Sequence, residues 1–176
     1  MRDYDFSIKS LDLKNYRRFA TLHIGFDEHL NVVVGNNGAG KTTLLDGCAV
    51  AVSSLLAKME GSQSCSIRKP DVRYITVQKG SAAIRQSQYP ASIEAMGSLN
   101  GHPYCWSREL SSEKSKMTRK GAKTVISAGG ELQRRVSAGD DVVLPVLAYY
   151  DANRFAVKES GNCVSGNTPA LRRESF

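Results

Sequence analysis

The sequence predicts an α/β fold, because one stretch changes from a strand to a helix across a glycine-rich turn. Residues 30–34 end in three consecutive valines, a β-branched run that is typical of a strand buried on both faces. Residues 44–56 carry apolar side chains at helical spacing, which predicts an amphipathic helix. Short segments before this stretch alternate between apolar and polar residues, as half-buried strands do.

The glycine-rich turn, residues 35–42, matches the pattern G-x-x-x-x-G-K-[ST] at every fixed position. Its glycines allow backbone conformations in which successive N–H groups point toward a phosphate, and the following helix adds a positive dipole end. In this pattern the Lys41 ammonium reaches the β- and γ-phosphates, and the Thr42 hydroxyl binds Mg²⁺. The pattern therefore predicts a nucleoside triphosphate site, with Lys41 as a candidate catalytic residue.

Two strands are predicted before this turn. Residues 6–13 and 22–26 alternate in polarity, and a polar, cationic turn at residues 14–19 connects them. Short strands in quick succession favour an antiparallel or mixed sheet over a simple repeat of β-α-β units.

A second group of strands is predicted after the helix. Residues 72–77 and 91–99 have the composition of strands. Asn100-Gly101 is a strong hairpin signal and leads into a returning strand. We expect these strands to form an antiparallel β-subdomain at about residues 68–110.

The last third of the sequence is less regular. Residues 122–136 show a mixed helical periodicity that Gly129 and Gly130 interrupt. Residues 142–150 are a second apolar run, which predicts another buried strand. Residues 159–176 have no periodicity, so we expect a disordered tail or a truncation point there.

The chain of 176 residues has a formal net charge of +7, which permits a polyanionic partner. Eight basic residues between positions 108 and 135 face only three glutamates. One interpretation is a surface that contacts a nucleic-acid backbone, and the other is a solvated helix and loop face. The basic residues are Arg108, Lys114, Lys116, Arg119, Lys120, Lys123, Arg134 and Arg135.

Other features of the composition exclude some classes of protein. No apolar run reaches membrane length, and the first residues lack the apolar core of a signal peptide, so a cytoplasmic protein without membrane contact is expected. The cysteines form no C-x-x-C pair, and the histidines add no set with metal-ligand spacing.

Two parts of the sequence resemble a known superfamily. Residues 15–19 read N-Y-R-R-F, and residues 30–46 read L-N-V-V-V-G-N-N-G-A-G-K-T-T-L-L-D. Over residues 6–48 the chain resembles the N-terminal lobe of the SMC/RecF/ABC-like P-loop ATPases. Residues 144–154, L-P-V-L-A-Y-Y-D-A-N-R, are similar to a segment of the bacterial AAA_23-type ATPases. That group includes the ATPase subunit of Septu and retron-linked anti-phage systems.

This resemblance implies that the cofactors are ATP and Mg²⁺. It implies that Asn15 and Arg17 lie beside the nucleotide. Their alternative is a solvent-exposed cationic hairpin, since arginine is mostly exposed in proteins. It also implies nucleotide or phosphate contacts by residues of the glycine-rich turn and by the residue after it, namely Asn37, Gly38, Ala39, Gly40, Lys41, Thr42 and Thr43.

Two interpretations remain for the region before Asp151. In the first, residues 127–131 imitate an ABC signature motif and the second apolar run imitates a Walker B strand that ends in Asp151. The chain would then be a compact complete ATPase with Asp151 as a catalytic residue. However, Ala152 stands where a catalytic glutamate would follow. We therefore favour the second interpretation, in which residues 1–158 are the N-terminal lobe of a larger ATPase.

The function that the resemblance implies is ATP binding within an SMC/RecF-like ATPase of anti-phage defence or DNA repair. ATP would bridge two lobes, so the expected partners are a second copy or a C-terminal lobe, with a nuclease and nucleic acid beyond them. Hydrolysis would require motifs of the C-terminal lobe. The alternative is a non-hydrolysing, nucleotide-sensing scaffold that regulates a partner nuclease. A small-molecule kinase fits poorly with the long β-rich insertion after the helix.

Overall fold

The structure is a computed structural model that describes residues 6–62 and 64–150. Its strands are Phe6–Tyr16 (β1), Phe19–Gly25 (β2), Tyr74–Lys79 (β3), Ala82–Ser87 (β4), Ala91–Leu99 (β5) and His102–Leu110 (β6). The main sheet has the strand order β2-β1-β5-β6, and β3 and β4 form a separate hairpin. Every pairing is antiparallel, as the rapid succession of short strands predicts.

The predicted hairpin at Asn100-Gly101 is confirmed. Leu99 pairs with His102, and the two residues between them have φ angles of 51° and 76°. Positive φ at both central residues matches the turn whose twist agrees with that of the flanking strands. This turn fixes the register of β6 on β5, so Trp106 lies on the buried face with only 2% of its surface exposed.

Two helices cover the buried face of the main sheet. They are Lys41–Leu56 (α1) and Lys123–Ser137 (α2). Helix α1 contacts β1, β5 and β6 directly, and α2 packs against α1 and β6. The Trp106 indole N–H donates to the backbone carbonyl of Ala51 at 3.0 Å, which joins the sheet to α1 inside the core. Burial of these facing apolar side chains stabilises the domain.

Strand β4 was not predicted from the sequence. Its sequence, A-A-I-R-Q-S, does not alternate between apolar and polar residues, and all of its residues are exposed in the structure. It forms because the chain reverses at Gly80, whose φ is 65°, and pairs residue by residue with β3. The strands within residues 68–110 are thus divided between two sheets, since β5 and β6 extend the sheet that β1 and β2 begin.

Two apolar runs that the sequence predicts as buried strands are not strands in the structure. Residues 30–34 and 142–150 pair with no other strand of the described chain. Val32 and Val34 are 75% and 88% exposed, and Val146 is 94% exposed. The prediction of strands buried on both faces is therefore wrong for both runs.

The reason for this difference is the lack of neighbours. Val33, Val142 and Leu147 pack against the core, so one side of each run is covered. A strand also needs a hydrogen-bonding partner beside it. The described residues supply none, so both runs lie on the core as single segments with most of their other apolar side chains exposed.

Helix α2 runs without interruption through Gly129 and Gly130, contrary to the prediction. A Cβ atom at Gly129 would lie 1.9 Å from the backbone carbonyl oxygen of Leu55 in α1. Gly129 therefore lets the two helices approach closely, and this contact outweighs the weak helix propensity of glycine.

None of the helices in residues 6–62 and 64–150 is long and apolar enough to cross a membrane.

We predict opposite effects for alanine at these two neighbouring glycines. Gly129→Ala forces α2 away from Leu55, and should lower the free energy of unfolding by about 1–3 kcal/mol through overpacking. Gly130→Ala meets only the flexible Lys58 side chain, at 3.0 Å, and should raise it by about 0.5–1 kcal/mol through helix propensity. Urea unfolding followed by circular dichroism measures both. Equal effects of the two substitutions would contradict the proposed role of Gly129.

Candidate phosphate-binding site

The glycine-rich turn has the backbone geometry of an anion-binding loop. The Ala39 N–H donates to the Asn36 carbonyl at 3.1 Å, which closes a tight turn. Gly38 and Gly40 have φ angles of 77° and 104°, a region that favours glycine. A Cβ atom at Gly40 would also lie 2.5 Å from the Phe19 ring, so a side chain there would require Phe19 to move.

Helix α1 begins immediately after this turn with its N-terminus uncapped. Gly40 makes no side-chain cap, and the first turn of the helix holds no acidic residue. The amides of Lys41, Thr42 and Thr43 have no carbonyl partner within the helix, and the positive end of the helix dipole is not opposed by a carboxylate. Such a helix start can bind an anion through its backbone.

The Lys41 side chain folds back over the turn. Its ammonium donates to the backbone carbonyls of Gly35 at 2.6 Å and Asn36 at 2.9 Å. These acceptors are neutral, so they hold the ammonium at the mouth of the turn without compensating its charge. A phosphate could therefore replace them with a stronger, charge-assisted hydrogen bond.

The two threonines after Lys41 differ in exposure. Thr42 is exposed, whereas Thr43 is buried with 8% of its surface exposed. Asn37 and Ala39 are exposed on the turn itself. The donor set of backbone amides, an ammonium and a hydroxyl fits a phosphate chain. For Mg²⁺ it offers the Thr42 oxygen, to which phosphate oxygens and a carboxylate would have to be added.

Asn15 and Arg17 make protein contacts in the structure. The Asn15 amide donates to the Pro90 carbonyl at 3.0 Å. The Arg17 guanidinium donates to Asp71 at 2.9 Å and to Asp46 on α1. Burial lowers the pKa of Arg17, but Tyr16 and the two carboxylates more than offset it and keep the pKa above its usual value. A nucleotide contact by either residue stays a prediction, and the alternative of a freely exposed hairpin does not describe Arg17.

Three contributors to this site were missed by sequence reasoning. Arg18 and Phe19 lie against Gly40, because the tight turn between β1 and β2 brings both side chains over the glycine loop. Asp46 accepts hydrogen bonds from Arg17 and from the Tyr149 hydroxyl. The signal for Asp46 was its position on α1, one helical turn after Thr42, where its side chain lies on the same side of the helix as the site.

The Tyr149 contact positions the second apolar run beside α1. Its hydroxyl reaches Asp46 from the end of residues 142–150, so this segment ends near the start of the helix. The next residue, Asp151, lies outside the described residues, as does the predicted tail at 159–176. The predicted catalytic role of Asp151 therefore stays a prediction.

The antiparallel sheet, the glycine-rich turn and the helix that starts from it define the N-terminal lobe of an α/β P-loop NTPase. The chain belongs to the AAA_23 family, described as an AAA domain, which it matches over residues 10–168. This family assignment confirms the broader resemblance to SMC/RecF-like ATPases.

The chain is similar to proteins of DNA repair. It is 30% identical over 106 residues to the DNA double-strand break repair Rad50 ATPase of Archaeoglobus fulgidus, covering 60% of this chain and 10% of that protein. It is 44% and 46% identical over 43 residues to the DNA replication and repair protein RecF of Oceanobacillus iheyensis and of an Exiguobacterium species. Each RecF match covers 24% of this chain and 12% of the relative. The chain thus spans about a tenth of the length of these relatives.

We predict that Gly40→Ala destabilises the protein by more than the cost of placing alanine at a positive φ. Gly139 also has a positive φ, 81°, but has open space around it, so Gly139→Ala should cost only about 1–2 kcal/mol. Gly40→Ala adds the collision with Phe19 and should cost at least about 2 kcal/mol. Urea unfolding measures both variants.

The added variant Phe19→Leu separates the two causes. It removes the ring atoms that approach Gly40, so it should restore part of the stability lost in Gly40→Ala. If the two substitutions prove additive, the steric contact between Phe19 and the glycine loop does not constrain the turn.

Proposed function

We propose that this chain is the ATP-binding lobe of an SMC/RecF-like ATPase that acts in DNA repair. The observation that supports this most directly is the uncapped start of α1 behind Gly38 and Gly40, with the Lys41 ammonium held by neutral carbonyls. Unopposed amides, a helix dipole and an uncompensated ammonium together favour a polyphosphate over a neutral ligand. The similarity to Rad50 and RecF supports a place in DNA repair.

In this proposal each residue of the turn contacts a different part of the bound MgATP. The backbone of Asn37, Gly38, Ala39 and Gly40 surrounds the β-phosphate, and Lys41 extends to the γ-phosphate. The amides of the helix start and Thr43 complete the phosphate contacts. Thr42 supplies the protein ligand for Mg²⁺ from this segment, which would bring charge neutralisation to the phosphates.

Arg17 and Asn15 act mainly by positioning in this proposal. Arg17 joins the turn between β1 and β2 to α1 through Asp46, and Asn15 fixes the same turn to Pro90. Both residues have positive φ angles, 49° and 50°, so the turn is held in a conformation that non-glycine residues rarely adopt. This turn forms one wall of the nucleotide site, where either side chain can contact the ribose or base.

We further propose that residues 1–158 are one lobe of a larger catalytic unit. The exposed apolar side chains of residues 30–34 and 142–150 lie on segments without strand partners in the described chain. Strands from a C-terminal lobe would pair with these segments and cover the exposed valines. Two such units would then associate across ATP, with a nuclease and nucleic acid as further partners.

The compact complete ATPase is less consistent with the geometry. Its signature motif would be residues 127–131, but these lie inside α2, where backbone amides bond within the helix. Gly129 moreover contacts the backbone of Leu55 and not a ligand site. A role in anti-phage defence, as the similarity of residues 144–154 suggests, and a non-hydrolysing regulator of a nuclease remain alternatives to repair.

We predict that MgATP stabilises the chain through Lys41. A ligand at about 100 times its dissociation constant adds about 2.7 kcal/mol to the free energy of unfolding, which raises Tm by several degrees in a domain of this size. The shift should disappear in Lys41→Ala. In the control Lys79→Ala, which removes an exposed lysine of the β3–β4 hairpin, it should persist. Differential scanning fluorimetry with and without MgATP makes the comparison, and absence of a shift in the wild-type chain would refute ATP binding.

We also predict that the chain alone does not turn over ATP. Mg²⁺ and the attacking water lack their full set of carboxylates in one lobe. Phosphate release by the wild-type chain should therefore equal that of Lys41→Ala, and Asp151→Asn should change nothing. Release that depends on both Lys41 and Asp151 would favour the compact complete ATPase instead.

A further inference from the structure

A cavity of about 580 Å³ lies well away from the glycine-rich turn. It is formed where residues 66–69 and 115–119 meet the end of β6. The Ile67 N–H contacts the Met117 sulfur at 3.1 Å, and Thr118 bridges to Glu109, so the two segments are held together. The volume is within the range of small-molecule sites, roughly 300–1,000 Å³. Its polar lining consists mainly of Arg68, Lys69, Arg108, Ser115, Lys116 and Arg119.

Arg108 forms the buried wall of this cavity. It is only 2% exposed, and its Nη1 donates to the Ser54 hydroxyl at 3.0 Å. Its Nε is a buried donor without a hydrogen-bond partner in the described part of the chain. Burying a guanidinium without a carboxylate is costly, since the group loses its hydration and gains no opposite charge.

The charges around Arg108 increase this imbalance. Burial, with a contribution from nearby Arg119, lowers the pKa of Arg108 to about 10. The nearby carboxylates pair with other cations. Arg68 Nε lies 3.7 Å from Asp71 Oδ2, and Lys69 Nζ lies 4.0 Å from Glu113 Oε1. No ion pair of the described residues involves Arg108, Lys116 or Arg119. The cavity thus has an excess of positive charge around an unpaired buried donor.

We propose that this cavity binds a phosphate monoester, with the Arg108 guanidinium at its base and Lys116 and Arg119 at its rim. A phosphate monoester is close to a dianion at neutral pH, and its oxygens match the planar donors of a guanidinium. Because Arg108 lines the cavity, a phosphate bound there would give its guanidinium the anionic partner that it lacks among the described residues. A single carboxylate would neutralise less of the positive charge of Arg108, Lys116 and Arg119 than a dianionic phosphate would.

The recess of the site decides which phosphates can reach it. Arg108 is only 2% exposed but lines the cavity, so we expect it to exclude the diester phosphates along a duplex and to accept a terminal phosphate that enters the cavity. The ligand is therefore either a free phosphorylated small molecule or the 5′-phosphate end of a nucleic acid strand. The site is also separate from the glycine-rich turn, because Ser54 is 13 residues beyond Lys41 on α1, roughly 20 Å along the helix.

The test compares two matched pairs of substitutions in a Lys41→Ala background, which weakens phosphate binding at the turn. The cavity pair is Lys116→Ala with Arg119→Ala, and the control pair is Lys114→Ala with Lys120→Ala. Both pairs remove two exposed cations of the same segment, but only the first lines the cavity. The probes are ribose 5-phosphate and a labelled single-stranded oligonucleotide with either a 5′-phosphate or a 5′-hydroxyl, followed by calorimetry and fluorescence anisotropy.

We expect the cavity pair to weaken binding of a phosphorylated probe at least about tenfold, since it removes charged hydrogen bonds, and the control pair to weaken it less than about twofold. Binding of ribose 5-phosphate identifies a free small molecule as the ligand. A preference for the 5′-phosphorylated over the 5′-hydroxyl oligonucleotide, without binding of ribose 5-phosphate, identifies a strand end.

A second variant tests Arg108 itself. Arg108→Lys keeps the charge but removes the planar set of guanidinium donors, so it should also weaken binding by about tenfold. If this variant does not fold, the NMR signal of the Arg108 Nε–H in the unsubstituted protein replaces it, and should shift on addition of the bound probe. Equal losses in the two pairs, no binding of either phosphorylated probe, or an unmoved Nε–H signal would overturn the proposal.

Discussion

The convergence of Arg17 and Tyr149 on the Asp46 carboxylate is the interaction on which the geometry of the candidate phosphate-binding site depends. Asp46 lies on the second turn of α1, just after the glycine loop. Arg17 attaches the turn between β1 and β2 to it, and Tyr149 attaches the segment at residues 142–150. Because Arg17 also pairs with the buried Asp71, the contact extends from α1 into the core, and such partly buried, charge-assisted bonds are stronger than surface ion pairs.

The exposed apolar runs are the surface that a second lobe would cover in the proposed larger ATPase. Val34 and Val146 are nearly as exposed as side chains in an unfolded chain, yet Val33 and Leu147 beside them pack on the core. An exposed apolar surface of this kind often marks an interaction site, which is the reason for proposing that another segment covers it. The chain spans about a tenth of the length of the Rad50 and RecF relatives, so the activity of a whole ATPase stays part of the proposal.

The sequence predicted those features that depend on local chemistry. The glycine-rich turn, helix α1 and the Asn100-Gly101 hairpin follow from backbone conformations that few residues can adopt. Strand β4 could not be predicted, because only pairing with β3 makes it a strand. The prediction that Gly129 interrupts the helix was wrong for a similar reason, because Gly129 contacts Leu55, which is distant in sequence. The cavity at Arg108 could not be predicted either, because the sequence of a basic segment does not show which of its residues is buried.

The glycine-rich turn and the cavity at Arg108 differ in the groups that they offer to an anion, and the distance between them limits how they can influence each other. The glycine-rich turn offers backbone amides and a helix dipole, whereas the cavity offers side-chain guanidinium and ammonium groups. At roughly 20 Å they lie more than two Debye lengths apart at physiological salt, so their charges hardly interact through solvent. Any coupling must pass through packed contacts instead. Helix α1 provides these, because Lys41 starts it at one site and Ser54 holds Arg108 at the other. A ligand that draws Arg108 away from Ser54 would therefore act on the nucleotide site only by moving α1 itself.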